Sequence, residues 1–172
     1  MKKALILGGA RSGKSTYAEK LAISSALPKL YIATAMRLDE EMNARIDHHI
    51  RRRDASWHTI EEKIEVASIL TDARWRKHVI LVDCLTLWMS NLMFTDGEDV
   101  EKRRKELCDA VGASEATVIL VTNEVGLGIV PMHPLSRRFR DEAGWLHQAL
   151  AQICDTVAFM AAGLPMMLKS VP

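Results

Sequence analysis

Several groups of residues in this chain have the types and spacing to do chemistry on phosphate. The first is Gly8-Gly9-Ala10-Arg11-Ser12-Gly13-Lys14-Ser15, which directly follows the apolar run Ala4-Leu5-Ile6-Leu7. Gly8, Gly13, Lys14 and Ser15 fall where the pattern GxxxxGK[ST] needs them. Glycines at those positions can take backbone angles closed to other residues, so the loop can curl until successive N–H groups face one phosphate chain. Lys14 then places a point charge on the β and γ phosphates, and Ser15 offers a hydroxyl to Mg²⁺. The helix that opens there aims its positive end at the same anions. The motif therefore predicts nucleotide phosphate binding.

Asp83 ends the apolar run Val79-Ile80-Leu81-Val82. A carboxylate at the end of a buried strand can hold Mg²⁺ opposite Ser15, directly or through water. It can equally cap the helix that starts at Leu85. The stretch Arg45 to Arg53 (RIDHHIRRR) holds His48 and His49, followed by Ile50, Arg51, Arg52 and Arg53. A neutral imidazole is a competent nucleophile at phosphorus near pH 7, and neighbouring arginines can neutralise a group in transfer. Adjacent residues on a helix point about 100° apart, so the two histidines cannot face one site equally. On residue chemistry alone, a solvated helix face accounts for this stretch as well. Asn123-Glu124-Val125-Gly126-Leu127-Gly128, ahead of Pro131, puts two acceptor-bearing side chains and two glycines in a loop suited to closing over substrate. Glu124 stands where a guanine-reading NKxD motif has lysine. Arg137, Arg138 and Arg140 follow, and they suit either phosphate binding or a solvated helix.

These groups need a frame. Short β-rich runs alternate with longer helical patterns, which predicts an α/β fold with a mostly parallel sheet flanked by helices. Strands are expected at Ala4–Leu7, Leu30–Ala33, Val79–Val82, Thr117–Thr122 and within Thr156–Leu168, where a short second strand can follow the first. Helices are expected over Lys14–Ser25, Asp39–Arg53, Glu61–Arg74, Leu85–Phe94, Asp96–Gly112 and Leu135–Gln152, with a loop over Asn123–Pro134. Ligands of such sheets sit beyond the carboxyl ends of the strands. That rule gathers Gly8, Thr34, Asp83 and Asn123-Glu124 around one phosphate loop.

The 172 residues fit one domain spanning 1–172, and 48% hydrophobic content excludes a mainly disordered chain. No apolar run is long enough to cross a bilayer, and the first residues break into glycines too early for a signal peptide, so a cytoplasmic protein is expected. A net charge of +1 gives no global attraction to nucleic acid or anionic lipid. Cys84, Cys108 and Cys154 are far apart with no CxxC spacing, which predicts buried thiols and neither a disulfide framework nor a zinc site.

Taken together, GGARSGKS, YIATA, DEEMNARIDHH, the Trp57/Thr59/Glu61 alternation and VTNEVGLGIVP with RRFRDEAG resemble one family over nearly the whole chain. It is the bifunctional adenosylcobinamide kinase / adenosylcobinamide-phosphate guanylyltransferase family of cobalamin biosynthesis. The resemblance implies a P-loop, RecA-like enzyme that phosphorylates the aminopropanol hydroxyl of adenosylcobinamide with ATP or GTP. It then implies transfer of GMP from GTP to that phosphate, giving adenosylcobinamide-GDP and pyrophosphate. By the same resemblance the guanylyl group passes through a covalent bond to His48. Nucleotide contacts are implied at Gly8, Gly9, Ala10, Arg11, Ser12, Gly13, Lys14, Ser15, Ala33, Thr34, Ala35, His49, Ile50, Arg51, Arg52, Glu61 and Asp83. Mg²⁺ at Ser15 and Asp83 and a homotrimer are implied as well. The chain departs from the usual pattern at Asp54 and Lys63, where proline is frequent, and at His147, where asparagine is usual. The competing readings are a P-loop small-metabolite kinase in which His48 is structural, and a nucleotide-dependent switch without turnover.

Overall fold

The computed structural model describes residues 2–35 and 55–170. All its strands join one sheet, in the order β3-β2-β4-β5-β1-β6-β7. They are β1 (Lys3–Gly8), β2 (Lys29–Ala33), β3 (Trp57–Glu61), β4 (Val79–Asp83), β5 (Thr117–Val121), β6 (Thr156–Ala161) and β7 (Leu164–Ser170). Neighbours from β3 through β6 run parallel, and β7 returns antiparallel along β6. The helices are α1 (Lys14–Ser24), α2 (Val66–Thr71), α3 (Leu85–Phe94), α4 (Val100–Ala113) and α5 (Pro134–Ile153).

Successive strand residues point to opposite faces, and the central strands are apolar on both. Leu5, Leu7, Leu30, Ile32, Ile80, Val82, Val118 and Leu120 pack on one face with Trp88, Leu107, Leu146 and Leu150. Ala4, Ile6, Tyr31, Leu81, Ile119 and Val121 pack on the other with Ala18 and Ala22 of α1. Continuous apolar runs such as VILV are what a parallel sheet covered on both faces requires. The indole of Trp88 is buried but donates through Nε1 to the Ile64 carbonyl at 2.9 Å, so its polar atom is satisfied.

The structure corrects two expected elements. The helix expected over Glu61–Arg74 is instead the end of β3, a turn, the short α2 and a single 3₁₀ turn at Ala73–Trp75. Trp57, Thr59 and Glu61 alternate with His58 and Ile60 along an edge strand paired to β2, and the polar residues mask this period of two. Glu62 then accepts from the N–H groups of Ile64 and Glu65 at 2.8 and 2.9 Å, so the chain turns before α2 begins. At the far edge the second strand is seven residues long. Ala162 and Gly163 both have positive φ (51° and 81°), which suits the tight turn joining twisted antiparallel strands. The helix expected over Asp39–Arg53 lies outside the described residues.

The three cysteines are free and buried. Burial pushes the Cys84 thiol up to about 11 and the Cys154 thiol up to about 12, so both stay protonated at neutral pH.

Candidate active site

Gly8 closes β1 with φ of 149°, and Gly13, at 94°, is the N-cap of α1. Both are places where a side chain does not fit. A Cβ on Gly8 would lie 2.5 Å from the Met160 carbonyl oxygen, and one on Gly13 would lie 3.1 Å from Gly163 Cα. Arg11 also has positive φ, at 54°. Gly163 donates to the Ser12 carbonyl at 3.0 Å, so the β6–β7 turn braces the phosphate loop from outside. Gly8→Ala should therefore lose nucleotide affinity by at least tenfold and lower stability by about 1–3 kcal/mol. Equilibrium binding of a fluorescent GTP analogue alongside a denaturant melt checks both expectations.

Lys14 opens α1 and is buried. Its Nζ folds back on the loop, donating to the Gly9 carbonyl and approaching Ser12 Oγ at 3.4 Å. Burial lowers its pKa, while Cys84 and Asp83 act in the opposite direction. Cys84 is an uncharged thiol at neutral pH, so the working anion beside Lys14 is Asp83.

Sheet register explains why residues so far apart in sequence meet here. Ala33 pairs with both Glu61 and Asp83, Asp83 pairs with Val121, and Val121 pairs in turn with Ile6. The ends of β2, β3, β4 and β5 therefore line up beside the loop that leaves β1. Thr34, fully buried, donates through Oγ1 to the Cys84 carbonyl at 2.8 Å and accepts from the Cys84 N–H at 2.9 Å. Asn91 of α3 holds the Thr34 carbonyl at 2.8 Å. The open question over Asp83 is resolved in part. Cys84, not Asp83, occupies the N-cap of α3, and Asp83 Oδ2 accepts from the Tyr31 hydroxyl at 3.1 Å. Tyr31 could not be assigned this role from sequence, because it sits inside the apolar run of β2 and reads as core.

Beyond β5 the backbone continues to follow β1: Thr122 donates to the Ile6 carbonyl and Glu124 to the Gly8 carbonyl, each at 3.0 Å. Thr122 is buried, and its hydroxyl meets His147 Nε2 of α5 at 2.9 Å and Thr86 Oγ1 of α3 at 3.3 Å. Thr86 Oγ1 accepts from the Asn123 N–H at 2.7 Å. His147 Nδ1 lies 3.5 Å from Glu124 Oε2, without the alignment of a hydrogen bond. Burial pushes the His147 imidazole below its ordinary pKa, and Glu124 only partly offsets this. The unfolded chain therefore takes up that proton first, and this group's contribution to stability declines as pH falls through about 6.5. Thermal melts across pH 5 to 8 should show a shallower acid-side decline in His147→Asn.

The loop 122–133 reaches α5 with its end tied down: Arg137 donates to the Pro131 carbonyl at 3.0 Å and to that of Met132. Arg140 pairs with Asp141 at 2.8 Å and Arg138 is exposed. Arg137 is thus engaged with the loop. A cavity of about 390 Å³ opens between α3, the loop and α5, lined mainly by Met93, Phe94, Val125, Pro131, Leu135 and Phe139. Leu127, Ile129 and Met132 of the same loop are 80%, 98% and 96% exposed.

Of the expected site residues, the structure brings Gly8 to Ser15, Ala33, Thr34, Ala35, Glu61 and Asp83 to one end of the sheet. His48, His49, Ile50, Arg51 and Arg52 lie outside the described residues. The Ser15 hydroxyl and Asp83 carboxylate are hard oxygen donors, and two protein oxygens completed by phosphate and water suit Mg²⁺. Among the described residues no cluster of three His, Cys, Asp or Glu could hold a metal by itself.

Comparison with known proteins adds to this geometry. The family model described as cobinamide kinase / cobinamide phosphate guanyltransferase matches residues 4–168. The bifunctional adenosylcobalamin biosynthesis protein CobP of Pseudomonas aeruginosa is 51% identical over 169 residues, covering 98% of each chain. Its counterpart CobU of Salmonella typhimurium is 40% identical over 179 residues, covering 96% of this chain and 98% of its own. Among solved structures, the flagellar accessory protein FlaH of Methanocaldococcus jannaschii superposes with TM-score 0.54 at 14% identity, covering 98% of this chain and 78% of its own. The RadB recombinase superposes with TM-score 0.51 at 11% identity, covering 91% and 73%. These two likenesses bear on the fold, which is RecA-like.

Proposed function

The chain belongs to the cobinamide kinase / cobinamide phosphate guanyltransferase family, a family of transferases, and on that premise we propose that it carries both activities on the single phosphate loop at Gly8–Ser15. The observation that carries the reading is the alignment of four strand ends beside that loop, with Lys14 and Asp83 in one electrostatic neighbourhood.

In the kinase step the aminopropanol hydroxyl of adenosylcobinamide attacks the γ-phosphorus of ATP or GTP. The hydroxyl loses its proton, and the nucleoside diphosphate leaves with the electron pair of the broken bond. In the transfer step an imidazole nitrogen of His48 attacks the α-phosphorus of GTP and pyrophosphate leaves. An oxygen of adenosylcobinamide phosphate then attacks the same phosphorus, the N–P bond breaks, and its electron pair returns to the ring. Splitting one exchange into two displacements is what a covalent nucleophile offers. Lys14 and the loop N–H groups bind the polyphosphate and counter the charge that moves onto its leaving oxygens. Tyr31 orients Asp83, and Thr34 keeps the β2 and β4 ends together. Mg²⁺ held by Ser15 and Asp83 would neutralise phosphate charge. His49, Ile50, Arg51, Arg52 and Glu61 are assigned to the nucleotide on the family resemblance.

The proposal includes one catalytic domain, a cytoplasmic location and a homotrimer. No helix among the described residues is long and apolar enough to cross a membrane. Leu164, Met166, Met167 and Leu168 are exposed on the edge strand β7, and an apolar edge is a surface that association can cover.

The test supplies purified protein with adenosylcobinamide, ATP, GTP and Mg²⁺ and follows the corrinoid products chromatographically. Both the phosphate and the GDP derivative should form, with pyrophosphate released in step with the second. Accumulation of the phosphate alone would favour a small-metabolite kinase.

A further inference from the structure

We infer that His147 is a positioning residue for the acceptor side of the reaction, clamping the root of the 122–133 loop so that its apolar part forms one wall of the corrinoid site. The inference rests on the proposed transfer of phosphoryl and guanylyl groups to a corrinoid. Its observations are independent of His48.

The clamp is a connected set of contacts. His147 enters from the middle of α5 and is buried, with Nε2 on the Thr122 hydroxyl at 2.9 Å and Nδ1 facing Glu124 at 3.5 Å. Thr122 passes the constraint to Thr86, which holds the Asn123 N–H. The main chain of Thr122 and Glu124 is at the same time tied to Ile6 and Gly8, the last stretch before the phosphate loop. One imidazole thus joins α5, the strand-end polar pair and, through Thr122, α3. A buried polar side chain of this kind specifies a single arrangement, because removing it takes a hydrogen-bond partner from the buried Thr122 hydroxyl.

Past the clamp the loop turns apolar. Val125 and Pro131 line the cavity of about 390 Å³ shared with α3 and α5, while Leu127, Ile129 and Met132 stand in solvent. A corrin macrocycle has broad apolar faces and is far larger than this cavity, so it would cover the cavity mouth and the loop together. The nucleotide, by contrast, is gripped by Gly8–Ser15, which has its own brace at Gly163. Loosening the loop root should therefore show in the acceptor and not in GTP.

Steady-state kinetics of guanylyl transfer, with adenosylcobinamide phosphate varied at saturating GTP, provide the test. His147→Leu keeps the bulk and removes both polar contacts. It should raise KM for the corrinoid about tenfold, the worth of roughly one hydrogen bond. The dissociation constant of a fluorescent GTP analogue should stay within about twofold. His147→Gln, whose amide can take the place of Nε2 on the Thr122 hydroxyl, should recover most of the loss. Equal KM values in wild type and His147→Leu would overturn the inference, as would a parallel loss of GTP affinity or identical defects in the Leu and Gln variants. If wild-type protein makes no GDP derivative, the functional reading fails instead, and corrinoid binding followed by its visible absorbance still separates the two variants.

Discussion

His48→Ala should leave phosphorylation of adenosylcobinamide within about threefold of wild type while guanylyl transfer falls by about 10⁴ or more, the scale of removing a nucleophile that acts as part of a unit. The asymmetry follows from the chemistry. In the proposed kinase step the acceptor hydroxyl attacks the γ-phosphorus directly, with no role for an imidazole. In the proposed transfer step the α-phosphorus passes from pyrophosphate to the corrinoid phosphate by way of the His48 ring, and the substitution removes that covalent relay. Separate assays with ATP and adenosylcobinamide, then with GTP and adenosylcobinamide phosphate, read the two steps independently. Loss of both with the fold intact would show that the roles are not separable.

Lys14→Ala should abolish both activities together, by about 10² to 10³ each, the usual cost of removing a positioned charge from a site of phosphoryl chemistry. Its Nζ already sits inside the loop, on the Gly9 carbonyl. Because burial disfavours its charge, removing the ammonium should not unfold the chain. A melting temperature at or above that of wild type, combined with loss of both activities, is the expected signature. A variant that lost one activity and kept the other would mean that two different sites bind the nucleotide.

The phosphate loop was legible because its demands are local: two glycines where φ is positive, a lysine at the helix start, and a strand before it. Asp83 was legible as a strand-end carboxylate, yet its choice between metal and helix cap was a matter of one residue's register, and the structure gives the cap position to Cys84. Strand β3 was not legible, because on an edge strand polar side chains such as His58, Thr59 and Glu61 face solvent and break up the apolar run that marked the central strands, and its last residue, Glu61, reads as the start of a charged helix. The most consequential omission is the Thr86–Thr122–His147 set. Each residue comes from a different part of the chain, and only the tertiary arrangement brings the Thr122 hydroxyl within 2.9 Å of His147 and 3.3 Å of Thr86. The one available signal was His147 itself, one of the positions where the chain departs from the pattern of the family it resembles.

Trapping the intermediate tests the central claim most directly. The protein is incubated with GTP and Mg²⁺ but no corrinoid, quenched in alkali to preserve a nitrogen–phosphorus bond, and examined by intact and peptide mass spectrometry. The account predicts one guanylyl group per chain, on the peptide that contains His48, labile to acid and discharged when adenosylcobinamide phosphate is added before the quench. A protein that turns over to the GDP derivative yet never carries that group, or carries it on another residue, would contradict it.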